Sequence, residues 1–317
     1  MVNMDYDYSW NSLLRPGQAE DFFCFAEKIA PFRPETGEYC PSNAWWLSEL
    51  SRLIYRRGED EISICANPIS RNDLLKKAGL KENLFVNTQG LSYALVSDEK
   101  ESFAILVFRG TSRFEHWFSN LHTVQTQWPY GGMVHTGFKY EFDKIRDELS
   151  EILSPVRVPL FYTGHSLGGA LATLTASFRP PAAVYTFGSP RVGNGIFRNS
   201  LASVNLYRIA MENDVVTTVP PSRSPFDFCH AGEAKVFPFP NHRKPCLGKD
   251  CPISESSDFS EKPDLIKNFY RKMYEGLFML NTAGLTVFSL MKQFTDAPYF
   301  LAAHSPVNYS ACLAHAV

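Results

Sequence analysis

The sequence lacks the features that mark several large classes of protein. Its formal net charge is −2 over 317 residues, so it has no excess of positive charge with which to bind nucleic acid. No apolar run reaches the ~18 residues that a membrane span requires. Its seven cysteines are an odd number, lie far apart and form no disulfide framework. These absences favour a soluble globular protein with reduced thiols.

The beginning of the sequence also lacks a secretory signal. Residues 1–8 have neither a basic start nor an apolar segment. Together with the cysteine pattern, this predicts a protein that is cytoplasmic, or exported without a recognisable signal peptide. The length and the apolar share of 44% are typical of one large α/β domain or two small ones. We predict a single domain over residues 1–317.

One short stretch carries the clearest chemical signal. Residues 164–168 read Gly-His-Ser-Leu-Gly, the Gly-x-Ser-x-Gly form of a nucleophile elbow. A serine hydroxyl attacks a carbonyl only if it is exposed on a sharp turn and within reach of a base. Such a turn brings the end of a strand against the start of a helix. Gly164 and Gly168 would leave room for that close approach.

The residues around Ser166 favour this interpretation over an ordinary strand–helix connection with an incidental serine. Residues 156–162 form a mostly apolar run, as expected of a strand that is buried on both faces. After the serine, apolar residues recur at helical spacing until Pro180 and Pro181 end the pattern. This stripe comprises Leu167, Leu171, Leu174 and Phe178. We therefore predict a strand, a tight turn that carries the nucleophile, and a helix.

The rest of the chain alternates between predicted strands and helices. Alternation of this kind predicts an α/β fold with a mostly parallel central sheet and helices on both faces. The predicted strands are 84–86, 91–96, 103–108, 156–162, 183–187, 204–209 and 235–237. The predicted helices are 19–30, 43–56, a short one at 113–121, 137–153 and the one after Ser166. Residues 1–40 read as an N-terminal arm around the first helix, and residues 241–263 as a loop insertion.

Two weaker signals lie late in the chain. His242, Cys246 and Cys251 could suggest zinc, but their spacing is loose and no fourth ligand is evident, so loop thiols are favoured. The uncharged run 276–291 is too short to cross a bilayer and favours a buried helix over an interfacial patch. We expect no metal and no cofactor.

A serine nucleophile needs a base and an acid that orients the base. In open α/β sheets these groups gather at the carboxyl ends of the strands. Asp214 follows the strand 204–209 at that end, with Glu212 and Asp227 as competitors. His304 lies late in the chain in the loop 302–306, which gives the order Ser, Asp, His that is typical of α/β-hydrolases.

Other histidines compete with His304 for the role of base. His230 is the next candidate, and a purely structural role for His304 stays open. His165 adjoins the nucleophile, and adjacent side chains leave a strand in opposite directions, so we do not expect it to be the base.

The developing oxyanion needs two hydrogen-bond donors. One is the backbone N–H of the residue after the nucleophile, which is Leu167. The second should come from an earlier strand–helix loop, and Thr111 follows the strand 103–108 at the expected place.

Five motifs in order make the chain resemble the class 3 lipases, which include the filamentous-fungal triacylglycerol lipases and bacterial and plant relatives. The motifs are Phe108 to Thr111, Val134 to Phe138, Gly164 to Ala170, Phe187 to Asn194, and Asn213-Asp214 to Pro220-Pro221. The resemblance covers about residues 41–310. It implies an α/β-hydrolase fold, carboxylic ester hydrolysis, and Ser166, Asp214 and His304 as the triad. The family's Asp-His-x-x-Tyr motif reads Ala303-His304 here, with Tyr309 five positions after the histidine.

The resemblance also gives the short helix after Thr111 a role. It implies a lid over the site, which we place at residues 113–130. The apolar stripe of that helix comprises Phe114, Trp117, Phe118 and Leu121, with polar residues on the opposite face. Such a helix would cover the site in water and open at a lipid surface. We therefore expect activity to rise when an ester substrate passes from monomers to aggregates.

The expected function is a lipase that cleaves acylglycerol esters through an acyl-enzyme. A phospholipase A1 or a short-chain carboxylesterase is the alternative within the hydrolases. A non-hydrolytic lipase-like binding or signalling protein is the alternative from another class. The expected partners are a lipid or ester substrate and a lipid–water interface contacted peripherally, without nucleic acid, a transmembrane segment or a predicted oligomeric state.

Overall fold

The computed structural model describes residues 6–18, 21–56, 69–88, 91–110, 124–239 and 296–317. Most of the predicted lid, the insertion 241–263 and the apolar run 276–291 lie outside these residues. So do Thr111 and the three residues considered for zinc. Residues 124–130, which were predicted as the end of the lid, form a short strand and a turn and not a helix.

A seven-stranded sheet forms the centre of the described part of the chain, in the order β1-β2-β3-β6-β7-β8-β9. The strands β1, β2 and β3 are antiparallel, and β3, β6, β7, β8 and β9 run parallel to one another. The predicted mostly parallel sheet is thus confirmed. The bounds are Leu80–Asn87 (β1), Ser92–Asp98 (β2), Ala104–Phe108 (β3), Leu160–His165 (β6), Ala183–Phe187 (β7), Leu206–Met211 (β8) and Glu233–Phe237 (β9). A separate antiparallel ribbon pairs Gln125–Gln127 (β4) with Met133–His135 (β5).

The helices begin and end as follows: Trp10–Leu14 (α1), Pro41–Leu53 (α2), Arg71–Lys77 (α3), Thr136–Asp143 (α4), Arg146–Leu153 (α5), Leu167–Phe178 (α6), Gly195–Ser200 (α7), Tyr299–Ala302 (α8) and Pro306–Ala316 (α9). Short 3-10 turns lie at Pro16–Gln18 and Val215–Thr218. None of the described helices is both long and apolar enough to pass through a membrane.

The sheet is buried on both faces because successive side chains of its central strands point to opposite cores. Ile105 and Val107 of β3 join the core beneath α2 and α9, whereas Leu106 and Phe108 join the core beneath α4, α5 and α6. The strand β7 alternates in the same way. This explains why the central strands read as unbroken apolar runs, and it places helices on both faces as predicted.

The strand that leads to Ser166 begins later than predicted and continues up to the serine. We expected residues 156–162, but β6 spans Leu160–His165. Pro159 has no N–H to donate to a neighbouring strand. Its carbonyl accepts from the N–H of Ala104, and regular pairing begins with Ala104 opposite Leu160. The apolar residues before the proline are therefore loop, and the strand delivers Ser166 at its end.

Two predicted helices were wrong. Residues 22–28, expected within a helix over 19–30, form turns because Phe23 has a φ of 58° and donates its N–H to Glu49 at 2.6 Å. The predicted helix 137–153 is divided into α4 and α5 at Ile145, where φ is −120° and ψ is −7°. Apolar residues on both sides of that break face the same core, so their spacing could not reveal it.

Candidate active site

Ser166 occupies a strained turn between β6 and α6. Its φ of 58° and ψ of −126° lie outside the regions that residues with a side chain normally adopt. The glycines on either side permit the turn, as predicted. A Cβ added to Gly164 would lie 2.3 Å from the carbonyl carbon of Gly168, and one added to Gly168 would lie 2.2 Å from the carbonyl oxygen of Phe108. Alanine at either position would push the helix away from the sheet.

The Ser166 backbone is tied to the end of β7. Its N–H donates to the carbonyl oxygen of Phe187 at 2.9 Å. Its side-chain oxygen is buried and has no hydrogen-bond partner among the described residues. In structures without substrate, hydrogen bonds to a nucleophile are often not yet formed. The hydroxyl is therefore not committed to a structural role within the described part of the chain.

Asp214 and His304 form a hydrogen-bonded pair. The Nδ1 atom of His304 lies 3.0 and 2.9 Å from the two carboxylate oxygens of Asp214, and both side chains are fully buried. A carboxylate accepts hydrogen bonds, so Nδ1 carries the proton and Nε2 is the basic nitrogen of the neutral ring. This tautomer is the one that a general base next to a serine requires.

Local structure at the end of β8 presents Asp214 to the histidine. Asn213 turns the chain at a φ of 68°, a conformation that asparagine tolerates better than most residues. Asp214 then caps the 3-10 turn Val215–Thr218, and its Oδ1 atom accepts the N–H of Val216 at 2.9 Å. His304 lies between α8 and α9, in the predicted loop.

Gly188 connects the pair to the residues around the nucleophile. It follows Phe187, which binds the Ser166 backbone, and it has a φ of 56°. A Cβ added to Gly188 would lie 2.8 Å from Oδ2 of Asp214 and 2.9 Å from Nδ1 of His304. Only glycine lets the chain pass this close to both side chains. The structure thus brings the environments of Ser166, Asp214 and His304 together.

Tyr309 contributes a contact that we did not predict. Its hydroxyl donates to Oδ2 of Asp214 at 2.7 Å and accepts the N–H of Met211 at 3.0 Å. Burial and the adjacent carboxylate charge hold the pKa of Tyr309 well above its usual value, so the hydroxyl keeps its proton and donates. The one signal in the sequence was a tyrosine shortly after His304. Its position in the first turn of α9 places it on Asp214.

His165 also lies at the site, although it is not free to act as the base. Its Nε2 atom lies 2.7 Å from the carbonyl oxygen of His304, and its Nδ1 atom lies 3.0 Å from the hydroxyl of Tyr55. The rings of His165 and His304 are 4.5 Å apart between centroids. Both of its nitrogens therefore have partners, and its contact with His304 was not foreseen.

The competing candidates lie in other surroundings. The Nε2 atom of His230 contacts the carbonyl oxygen of Thr217 at 2.7 Å, and burial followed by the charges of Arg208 and Arg191 lowers its pKa well below the usual value. Asp227 is exposed, and Glu212 is partly exposed. The carboxylate of Asp214, by contrast, lies within hydrogen-bond distance of His304 Nδ1.

One proposed oxyanion donor lies within the described residues. Leu167 is the first residue of α6, where N–H groups have no partner inside the helix and the helix dipole favours negative charge. Thr111, Phe114, Trp117, Phe118 and Leu121 lie outside the described residues. No cluster of three or more histidine, cysteine, aspartate or glutamate residues that could hold a metal occurs in the part of the chain that the structure describes.

The central part of the chain is similar to a known protein family. The family model described as Lipase (class 3) matches residues 105–224, which include β3, the Ser166 turn and Asp214. This segment is similar to the class 3 lipases. His304 lies outside the matched segment, so its place in the site depends on the geometry above.

Individual curated proteins match the chain over part of their length. A lipase of Rhizomucor miehei is 34% identical over 153 residues, which are 43% of this chain and 42% of the relative. The chloroplastic phospholipase A(1) DAD1 of Arabidopsis thaliana is 32% identical over 171 residues, which are 41% of this chain and 38% of the relative. The chain thus spans less than half the length of these curated relatives.

A solved structure shows the same fold. A triacylglycerol lipase whose catalytic centre is described as a serine protease triad aligns with a TM-score of 0.51 and 27% identity, over 61% of this chain and 78% of that chain. Together with the sheet and its helices, this likeness shows the α/β-hydrolase fold that the resemblance implied.

Proposed function

We propose that the protein is a serine carboxylic ester hydrolase, and specifically a lipase that cleaves acylglycerol esters. The observation that carries the proposal is the buried pair of Asp214 and His304 beside a serine on a strained strand–helix turn. The similarity to a Rhizomucor miehei lipase supports the choice of a lipid ester as substrate.

The reaction follows from the hydrogen-bond directions. Nε2 of His304 takes the proton of Ser166 as the serine oxygen attacks the ester carbonyl, and Asp214 stabilises the imidazolium that forms. The N–H of Leu167 donates to the oxyanion, with Thr111 as the second proposed donor. The same histidine gives its proton to the leaving alcohol. It then activates the water that hydrolyses the acyl-enzyme.

Labelling of Ser166 tests the proposal directly. A fluorophosphonate should label the wild-type protein at Ser166, and Ser166→Ala should abolish labelling. It should also reduce ester hydrolysis by about 10⁶-fold, since members of a triad act as a unit. A well-folded wild type that is neither labelled nor active on esters would favour a non-hydrolytic binding protein on the same fold. Turnover that survives Ser166→Ala would contradict the serine mechanism.

A phospholipase A1 is the second candidate, because the Arabidopsis relative carries that name. Hydrolysis of p-nitrophenyl esters with two to sixteen carbons, measured beside a triglyceride and a phosphatidylcholine, separates the candidates. A lipase prefers the triglyceride, a phospholipase A1 releases fatty acid from phosphatidylcholine, and a carboxylesterase acts on the short esters alone.

The amphipathic stripe around Trp117 supports peripheral contact with a lipid–water interface. Activity should then rise when the ester passes its aggregation point. Trp117→Asp should weaken that rise while soluble short-chain esters are still cleaved. A smooth activity curve in the wild type would contradict the interfacial part of the proposal and leave the esterase chemistry intact.

A further inference from the structure

The side chain of His165 connects two parts of the site through hydrogen bonds of fixed direction. Its Nε2 atom lies 2.7 Å from the carbonyl oxygen of His304, and a carbonyl can only accept. Nε2 therefore carries a proton. In the neutral ring, Nδ1 is then an acceptor and receives the hydroxyl proton of Tyr55 across 3.0 Å.

The electrostatic surroundings keep both side chains in these protonation states. Burial, and then the charge of His304, lowers the pKa of His165 well below its usual value. Burial raises the pKa of the Tyr55 hydroxyl against the partial opposition of the Arg109 charge and the Gly110 N–H. His165 thus stays neutral and Tyr55 stays protonated. The two hydrogen bonds therefore form one directed hydrogen-bond chain, in which Tyr55 donates to His165 and His165 donates to the carbonyl of His304.

This hydrogen-bond chain lies where it can hold the segment that carries the base. Tyr55 also lies against Gly110, where an added Cβ would be 2.1 Å from the tyrosine oxygen. Gly110 precedes Thr111 at the end of β3, and His304 lies in a short connection between α8 and α9. The contact to the His304 carbonyl therefore ties that connection to the two strand ends that carry the nucleophile and the proposed oxyanion donor.

We propose that His165 is a positioning residue for the base: its Nε2–H holds the main chain of His304, and Tyr55 fixes the tautomer that makes this possible. The proposal rests on the proposed hydrolase function. Asp214 fixes the imidazole ring of His304 through Nδ1, whereas His165 fixes the backbone from which that ring projects. A neutral His165 also adds no charge beside the imidazolium that forms on His304 during the reaction.

Two amide substitutions test the hydrogen bonds of the two ring nitrogens of His165 separately. In His165→Gln the side-chain amide nitrogen reaches the place of Nε2 and still donates to the His304 carbonyl. In His165→Asn the shorter side chain reaches only toward Tyr55. We expect kcat for a soluble short-chain ester to stay within about 5-fold of wild type in the first variant, as for the change of one hydrogen bond. In the second we expect a loss of about 100-fold, as for a base displaced by about 1 Å.

The distribution of the effect between kinetic constants distinguishes positioning from substrate binding. KM should be nearly unchanged in both variants, because neither side chain is proposed to touch the substrate. The rate of fluorophosphonate labelling should follow kcat, since labelling also needs His304 as base. Circular dichroism and thermal unfolding establish that each variant is folded. Equal kcat values for well-folded His165→Asn and wild type would overturn the proposal.

Tyr55→Phe tests the hydrogen bond that Tyr55 donates to His165 in the same hydrogen-bond chain. It should lower kcat by about 5-fold in the wild type, because one hydrogen bond to His165 is lost. It should have almost no further effect in His165→Gln, whose amide does not depend on Tyr55 for its tautomer. If the effects of Tyr55→Phe and His165→Gln on kcat were independent and multiplied each other, the proposed hydrogen-bond chain would be contradicted. A wild type that is not labelled at Ser166 would overturn the hydrolase function itself, a result distinct from either of these.

Discussion

The surroundings of His304 and His230 differ in ways that bear on which of them can act as a base. Each ring has a nitrogen within hydrogen-bond distance of an oxygen, but the oxygens differ. His304 faces the carboxylate of Asp214, which stabilises an imidazolium, whereas His230 faces the carbonyl of Thr217 near two arginines. Burial and the two arginine charges oppose a charged ring at the second position. Proximity to a polar partner is therefore insufficient, and the charge of the partner decides.

The largest expected difference comes from removing each ring. His304→Ala should reduce ester hydrolysis nearly as much as Ser166→Ala, by about 10⁶-fold, because the three groups act as a unit. His230→Ala should lower stability through the lost hydrogen bond to Thr217, by about 1 kcal/mol, and leave kcat nearly unchanged. Steady-state kinetics and urea unfolding of the two variants measure both effects. If His230→Ala reduced ester hydrolysis more than His304→Ala, the role of base would pass to His230.

The next largest expected effect on kcat comes from removing only the charge of Asp214, the carboxylate that binds His304. Asp214→Asn should reduce kcat by about 10⁴-fold, because an amide allows the wrong imidazole tautomer and cannot stabilise the imidazolium. Asp227→Asn is the matched control, since Asp227 is exposed and asparagine tolerates its φ of 47°. The control should retain wild-type activity. A mild effect of Asp214→Asn would show that His304 works without this carboxylate.

Tyr309→Phe tests the neighbour of the carboxylate. The change removes the hydroxyl that donates to Asp214 and leaves the Met211 N–H without its acceptor. We expect kcat to fall about 10-fold, as for the loss of one hydrogen bond to a charged group. Tyr207→Phe is the matched control, because that hydroxyl donates to the Gly37 carbonyl at 2.9 Å and should affect stability alone. Equal kcat values in both variants would make Tyr309 purely structural.

The smallest expected effect is a change in the pH dependence of stability. The folded protein disfavours a proton on His230, whereas the unfolded chain binds one below about pH 6.5. The unfolded state then holds more protons, so stability is present above pH 6.5 and is lost as the pH falls toward the lowered pKa. His230→Gln can still donate to Thr217 and should reduce that slope by about 1.4 kcal/mol per pH unit. Urea unfolding from pH 7.5 to 5.5 measures it, and an unchanged slope would contradict the assigned environment.

Local sterics explain why the residues around Ser166 could be predicted. Five consecutive residues define the turn, since Gly164 and Gly168 must lack side chains wherever the chain folds this way. Apolar patterning likewise predicted the central strands, because each is short and covered on both faces. The same patterning failed at Ile145, where two helices share one apolar stripe, and at Phe23, where a hydrogen bond to Glu49 replaces a helical one.

The sequence by itself determined the fold class, the position of Ser166 and the order of the residues that follow it. Only the tertiary structure decided which acidic and imidazole side chains meet, because Asp214 follows β8, His304 lies between α8 and α9, and Tyr309 lies in the first turn of α9. It also placed the His165 ring against His304 and directed its proton to the carbonyl of the base. Chain order can suggest such partners, but hydrogen-bond directions and local charge depend on distances through space that no pattern along the chain specifies.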